Sequence, residues 1–125
     1  MMLALASQLK IFVYTQPTDM RKGIDGLSGI VREKFGADPA DGSLFVFVNR
    51  ARNRMKILHF DGKGFWLYYR VLEAGTFENL TDTASAVLRL DATQLWMLLD
   101  GVSLAACQKR RKRYTHPAAG VSTSG

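Results

Sequence analysis

Between Leu44 and Leu72 the chain presents three β-rich runs in quick succession, and this order leaves few ways to fold. The runs are Leu44–Val48, Met55–Phe60 and Phe65–Leu72, rich in β-branched and aromatic residues as strands require. Asp61-Gly62-Lys63-Gly64 joins the last two. It is a strong hairpin signal, because glycine supplies the positive φ of a tight turn. Asn49-Arg50-Ala51-Arg52-Asn53-Arg54 joins the first two as a polar, strongly basic loop. Sequential strands with short connections pair antiparallel, so the segment predicts a three-strand meander.

The flanking segments supply cover for that sheet. Lys10–Thr15 reads as a further strand, broken by Gln16-Pro17-Thr18-Asp19. From Met20 to Phe35, Ile24, Leu27, Ile30, Val31 and Phe35 recur at helical spacing. Thr18 or Asp19 is the expected N-cap, and Gly36 and Pro39 end the helix. Glu73–Asp82 reads as irregular and Ala86–Leu90 as a short strand. A second helix begins at Asp91, with Gln94 completing a capping box and Leu90 placed to staple onto Leu95. It runs through Trp96, Met97, Leu98 and Leu99 and stops near Gly101. The expectation is an α+β fold: a small antiparallel sheet built on the meander, two packing helices and a disordered basic tail. The domain is expected to span residues 10–107, between a frayed start (1–9) and a tail (108–125).

Charge divides the chain in the same place. Seventeen Lys and Arg oppose eleven Asp and Glu in 125 residues, a formal charge of +6. Five of the cations form one run, Lys109-Arg110-Arg111-Lys112-Arg113. Without them twelve basic residues face eleven acidic ones, so the body is nearly neutral and the tail is a polycation. Cys107 is the sole cysteine, which excludes an internal disulfide and a multi-cysteine metal site and suits a reducing cytoplasm. The apolar start, Met1 to Ala6, lacks the positive n-region of an export signal, and no apolar run is long enough to span a bilayer.

These charges nominate a polyanion as partner. Lysine and arginine neutralise phosphates and release counterions, a sequence-independent and salt-sensitive contribution. Candidate nucleic-acid contacts are the tail cations Lys109, Arg110, Arg111, Lys112 and Arg113, the loop cations Arg50, Arg52, Arg54 and Lys56, and Lys63 on the hairpin. If the strand continued through the loop, alternation would set Arg50, Arg52 and Arg54 in a row. Arg21 and Lys22, near a helix start, are further candidates. Along FWLYYRVL, Phe65, Leu67, Tyr69 and Val71 form the expected core face. Trp66 and Tyr68 lie on the other face beside Arg70, as candidates for stacking or partner contact. Asp19, Asp25, Asp61 and Asp91 sit at turns and caps, where Asp serves local hydrogen bonds. His59, His116 and Cys107 have no metal-ligand spacing, so no catalytic residue, metal or cofactor is expected.

Three segments taken together resemble a known family: Thr18–Leu27 (TDMRKGIDGL), Met55–Phe65 (MKILHFDGKGF) and Leu90–Gly101. In this order they are similar to the TnpB-type accessory protein, the second open reading frame of insertion-sequence family 66. That family is unrelated to the RNA-guided nuclease of the same name. The resemblance covers roughly residues 10–102, with His59 standing where the family commonly has a second aromatic. It implies a non-catalytic role in transposition beside a separate transposase, and assigns no catalytic residues. DNA, at the element ends, and the transposase are the expected partners, and no membrane is. An RNA-binding module using the aromatic sheet face is the alternative. A small metal-dependent nuclease using Asp19 or Asp61 is the third.

Overall fold

The computed structural model describes residues 9–81 and 83–100. Five strands make one sheet: β1 (Ile11–Tyr14), β2 (Leu44–Val48), β3 (Arg54–Phe60), β4 (Phe65–Val71) and β5 (Val87–Leu90). Their spatial order is β4-β3-β2-β1-β5. The expected meander is present, with β2 antiparallel to β3 and β3 antiparallel to β4. The sheet is nonetheless mixed, not wholly antiparallel, because β1 pairs with β2 in parallel and with β5 antiparallel. The cause is the connection. A helix lies between β1 and β2, and such a crossover returns the chain in the same direction.

That crossover is α1 (Ile24–Ile30), continued by a π-helical turn over Val31–Phe35. It ends where Gly36 takes φ of 63°, a left-handed conformation that glycine adopts without a Cβ clash. Its start differs from expectation. The N-cap is Gly23, with no side-chain cap, and neither Thr18 nor Asp19 serves. Thr18 is buried and ties its N–H to the Val48 carbonyl, while the Asp19 carboxylate receives the Arg21 N–H. Those bonds hold residues 18–22 in a turn, so the helix cannot begin until Ile24. The second helix, α2 (Ala92–Leu99), starts as its sequence requires, with both halves of the Asp91/Gln94 capping box formed.

All five residues of β2 are buried, as its uninterrupted apolar run (LFVFV) demands of a strand covered on both faces. One face packs Phe45, Phe47 and Leu58 against Leu27 and Val31 of the α1 arm. The other packs Val46, Met55 and Ile57 against Leu95, Leu98 and Leu99 of α2, with the wholly buried Phe77. Leu90 and Leu95 share this second cluster. The α1 layer reaches the edge strand only at Phe65 and Leu67. Beyond it Tyr69 and Val71, expected to be core, are 49% and 44% exposed. Among the described residues no helix is long and apolar enough to cross a membrane.

Candidate nucleic-acid interface

The basic loop is shaped by Asn49. Its Oδ1 accepts the backbone N–H of Asn53 and of Arg54, and its Nδ2 donates to Asn53 Oδ1. The resulting turn forces Arg52 to φ of 61°, so the strand does not continue through the loop and β3 begins only at Arg54. The three arginines therefore fan out and do not form the row that alternation would give. Arg50 is exposed at the tip. Arg52 turns inward, where its Nη1 donates to the Phe77 carbonyl at 3.3 Å and its own carbonyl accepts the Phe77 N–H at 2.6 Å. Beside them opens a cleft of about 170 Å³, with Gln16, Arg50, Arg52 and Thr81 among its walls.

Arg54 and Lys56 stand two apart on β3 and share one face. Arg54 Nη1 donates to Tyr69 Oη at 2.9 Å on the neighbouring strand. The Lys56 ammonium lies 5.1 Å from the centre of the same ring and donates to the carbonyls of Met20 (2.7 Å) and Lys22 (2.9 Å). This contact joins the TDMRKG segment to the MKIL segment. Arg52, Arg54 and Lys56 are thus all oriented by neutral oxygens. A carbonyl or phenol positions a cation without cancelling its charge, whereas a carboxylate does both.

Arg21 shows the contrast. Its guanidinium binds Asp19 through Nε (3.1 Å to each oxygen) and Nη2 (2.7 Å). The hydrogen bonds from the Arg21 side chain, then its N–H, hold the Asp19 carboxyl at about 2. Arg21 is therefore spoken for, while the side chains of Lys22 and Lys63 are exposed. The structure brings Arg54 and Lys56 together at Tyr69, sets the Lys22 backbone carbonyl against Lys56, and leaves Arg50 and Lys63 on separate loops. The run Lys109, Arg110, Arg111, Lys112 and Arg113 lies outside the described residues, as do Cys107 and His116.

The aromatic candidates divide. Trp66 is 45% exposed, donates its indole N–H to Asp61 at 2.7 Å and stacks on Tyr68 at 6.1 Å. Tyr68 is half-buried against the α2 cluster, and burial raises its pKa. Neighbouring Arg70 reaches back to the Leu99 carbonyl. With helix or loop on both sides, the sheet offers no broad open platform among the described residues. Asp61 is engaged by its own hairpin. The N–H of Lys63, the Trp66 indole and the N–H of Gly64 hold its carboxyl at about 2. Among the described residues no group of three His, Cys, Asp or Glu is placed to hold a metal ion.

Sequence reasoning missed two contributors. Tyr69 orients both Arg54 and Lys56, a role that follows from the β3–β4 register, which sets it opposite Lys56. Asn49 shapes the loop; an Asn at the start of a polar turn was the available signal.

Comparison with known proteins places these features in context. Residues 9–109 match the family model described as IS66 Orf2 like protein. The match runs past residue 102, the expected limit of the resemblance. Among curated relatives, the uncharacterized protein y4jC of Sinorhizobium fredii (strain NBRC 101917 / NGR234) is 38% identical over 76 residues, 61% of this chain. That alignment spans 65% of y4jC, just under two thirds of its length. The uncharacterized protein y4hO of the same strain is 33% identical over 101 residues, 81% of this chain and 87% of its own. No solved structure matches.

Proposed function

Because this chain belongs to the IS66 Orf2-like protein family, we propose that it is a non-catalytic, cytoplasmic accessory protein of insertion-sequence transposition that binds DNA beside the transposase. The observation that carries the DNA part is the treatment of Arg54 and Lys56. Both are fixed by uncharged oxygens, Arg54 exposed and Lys56 half-buried, so their charges are oriented and not cancelled by a carboxylate. Lys22, Arg50, Lys63 and the run Lys109–Arg113 add further cations. Such contacts fix position on a phosphate backbone and carry no base readout by themselves. Arg21, closed onto Asp19, contributes least. Of the exposed sheet aromatics, Tyr69 is engaged by Arg54 and Lys56 and Trp66 is stacked on Tyr68, which leaves single-stranded RNA no broad platform, so duplex DNA is the better fit.

Fluorescence anisotropy on a duplex carrying the element's terminal inverted repeats tests this reading. Affinity should fall with salt, by about 0.9 log units per log unit for each phosphate contacted. Arg50→Gln with Arg54→Gln should reduce that slope by about 1.8, and removal of residues 108–125 by about 4.5. Absent or salt-insensitive binding refutes the DNA part. Co-purification with the transposase then decides whether the protein acts as an adapter.

A further inference from the structure

β4 is an edge strand of seven residues. Which backbone groups face outward follows from the two ends of its ladder with β3. At one end the Asp61 N–H donates to the Gly64 carbonyl, and at the other the Leu72 N–H donates to the Asn53 carbonyl. Bonded and non-bonded pairs alternate between these points. Trp66, Tyr68 and Arg70 therefore bond to β3, and Phe65, Leu67, Tyr69 and Val71 direct their N–H and C=O groups away from it. Among the described residues no strand pairs with that side.

Protein edges are usually blunted by proline, a bulge, a short length or outward lysines. β5, the other edge, is only four residues long. β4 has none of these guards. Its one charge, Arg70, is turned back to the Leu99 carbonyl and Asp100, while Trp66, Tyr69 and Val71 stay exposed.

We infer that this edge pairs antiparallel with β4 of a second copy, about a two-fold axis at Tyr68, to make one continuous sheet. The sequence around β4 is self-complementary in that register. Phe65 faces Val71 of the other copy, Trp66 faces Arg70, Leu67 faces Tyr69, and beyond the strand Lys63 faces Glu73. Apolar meets apolar along the strand, and opposite charges meet at each end. Shifting the axis by one residue toward Leu67 sets Glu73 against Asp61. Shifting it toward Tyr69 sets Glu73 against Phe65. The inference does not depend on DNA binding, and it is tested without nucleic acid. Its consequence bears on that function, because pairing of this kind keeps both α1 faces, and both sets of Arg54 and Lys56, on one side of the joined sheet.

Sedimentation equilibrium of the full chain should show a monomer–dimer equilibrium. Lys63→Glu or Glu73→Lys alone turns two symmetry-related attractions into repulsions and should weaken dimerisation roughly tenfold, and the double swap should restore it. Val71→Pro removes an outward N–H without touching the β3 ladder and should also weaken it. Amide exchange at Phe65, Leu67, Tyr69 and Val71 should slow as protein concentration rises. A chain that stays monomeric at about 100 μM, where specific dimers of even modest affinity form, overturns the inference. So does a dimer indifferent to the charge swap. Protection of the four amides in a monomer also overturns it, and shows that the chain covers its own edge.

Discussion

Replacing Lys56 by Met keeps the length of the side chain and removes its ammonium. Two carbonyls, of Met20 and Lys22, lose their donor, and Tyr69 loses the cation over its ring. Hydrogen bonds to charged groups contribute about 1.5–3 kcal/mol each where the acceptor is buried, and the cation–π contact about 0.5–1 kcal/mol. The Met20 contact is part-buried and the Lys22 contact exposed, so water recovers much of the second. A net loss of about 2 kcal/mol is expected, which lowers Tm by about 10 °C in a domain of this size. The damage should be local. Amide exchange should accelerate in the turn before α1 while the β2–β3 ladder stays protected. Urea denaturation followed by circular dichroism gives the energy, and exchange gives the location. A loss below about 0.5 kcal/mol, or faster exchange spread over the whole sheet, would refute the view that Lys56 fastens this turn to β3.

Other perturbations address separate parts of the fold. Leu98→Ala empties a fully buried position under α2 and should cost about 2–5 kcal/mol in urea denaturation. Asp91→Ala removes the side-chain cap on the Gln94 N–H and should cost about 1 kcal/mol in the same assay. Asp19 and Asp61 have carboxyls held at about 2, below their value of 3.8 when unperturbed. Their contribution to stability is complete above pH 4 and is lost as pH falls toward 2, so acid titration of Asp61→Asn should show a shallower decline than the parent. Gly36→Ala places a Cβ at φ of 63° and should destabilise by about 1 kcal/mol, with no change in DNA affinity.

Local signals in the chain reach far into this fold. The meander was legible because strand runs and the Asp61–Gly64 turn are both determined by neighbours in sequence. The capping box at Asp91 was legible for the same reason, and the family was legible in three segments that carry residues of these turns. The parallel pairing of β1 with β2 was not, since nothing local states which side of β2 a distant strand will take. The start of α1 was misplaced because Thr18 and Asp19 have the chemistry of caps, but Thr18 is buried, its backbone N–H tied to the distant Val48 carbonyl, and the Asp19 carboxylate is taken by Arg21. The arginine row failed for a reason of backbone geometry. The alternation of Arg50, Arg52 and Arg54 holds only in extended chain, and Asn49 bends the chain before β3 begins. At the candidate surface, the sequence named the cations, whereas their partners depend on register.

The reciprocal bonds between Arg52 and Phe77 have a mechanical consequence. The phenyl ring of Phe77 is fully buried, so the loop that carries Arg50 is bolted to the interior. A partner that tried to swing this loop aside would have to break both bonds or draw that ring into water, the latter at a cost of about 1.5–3 kcal/mol. The tip should therefore behave as a stiff mount, on which only the Arg50 side chain swivels.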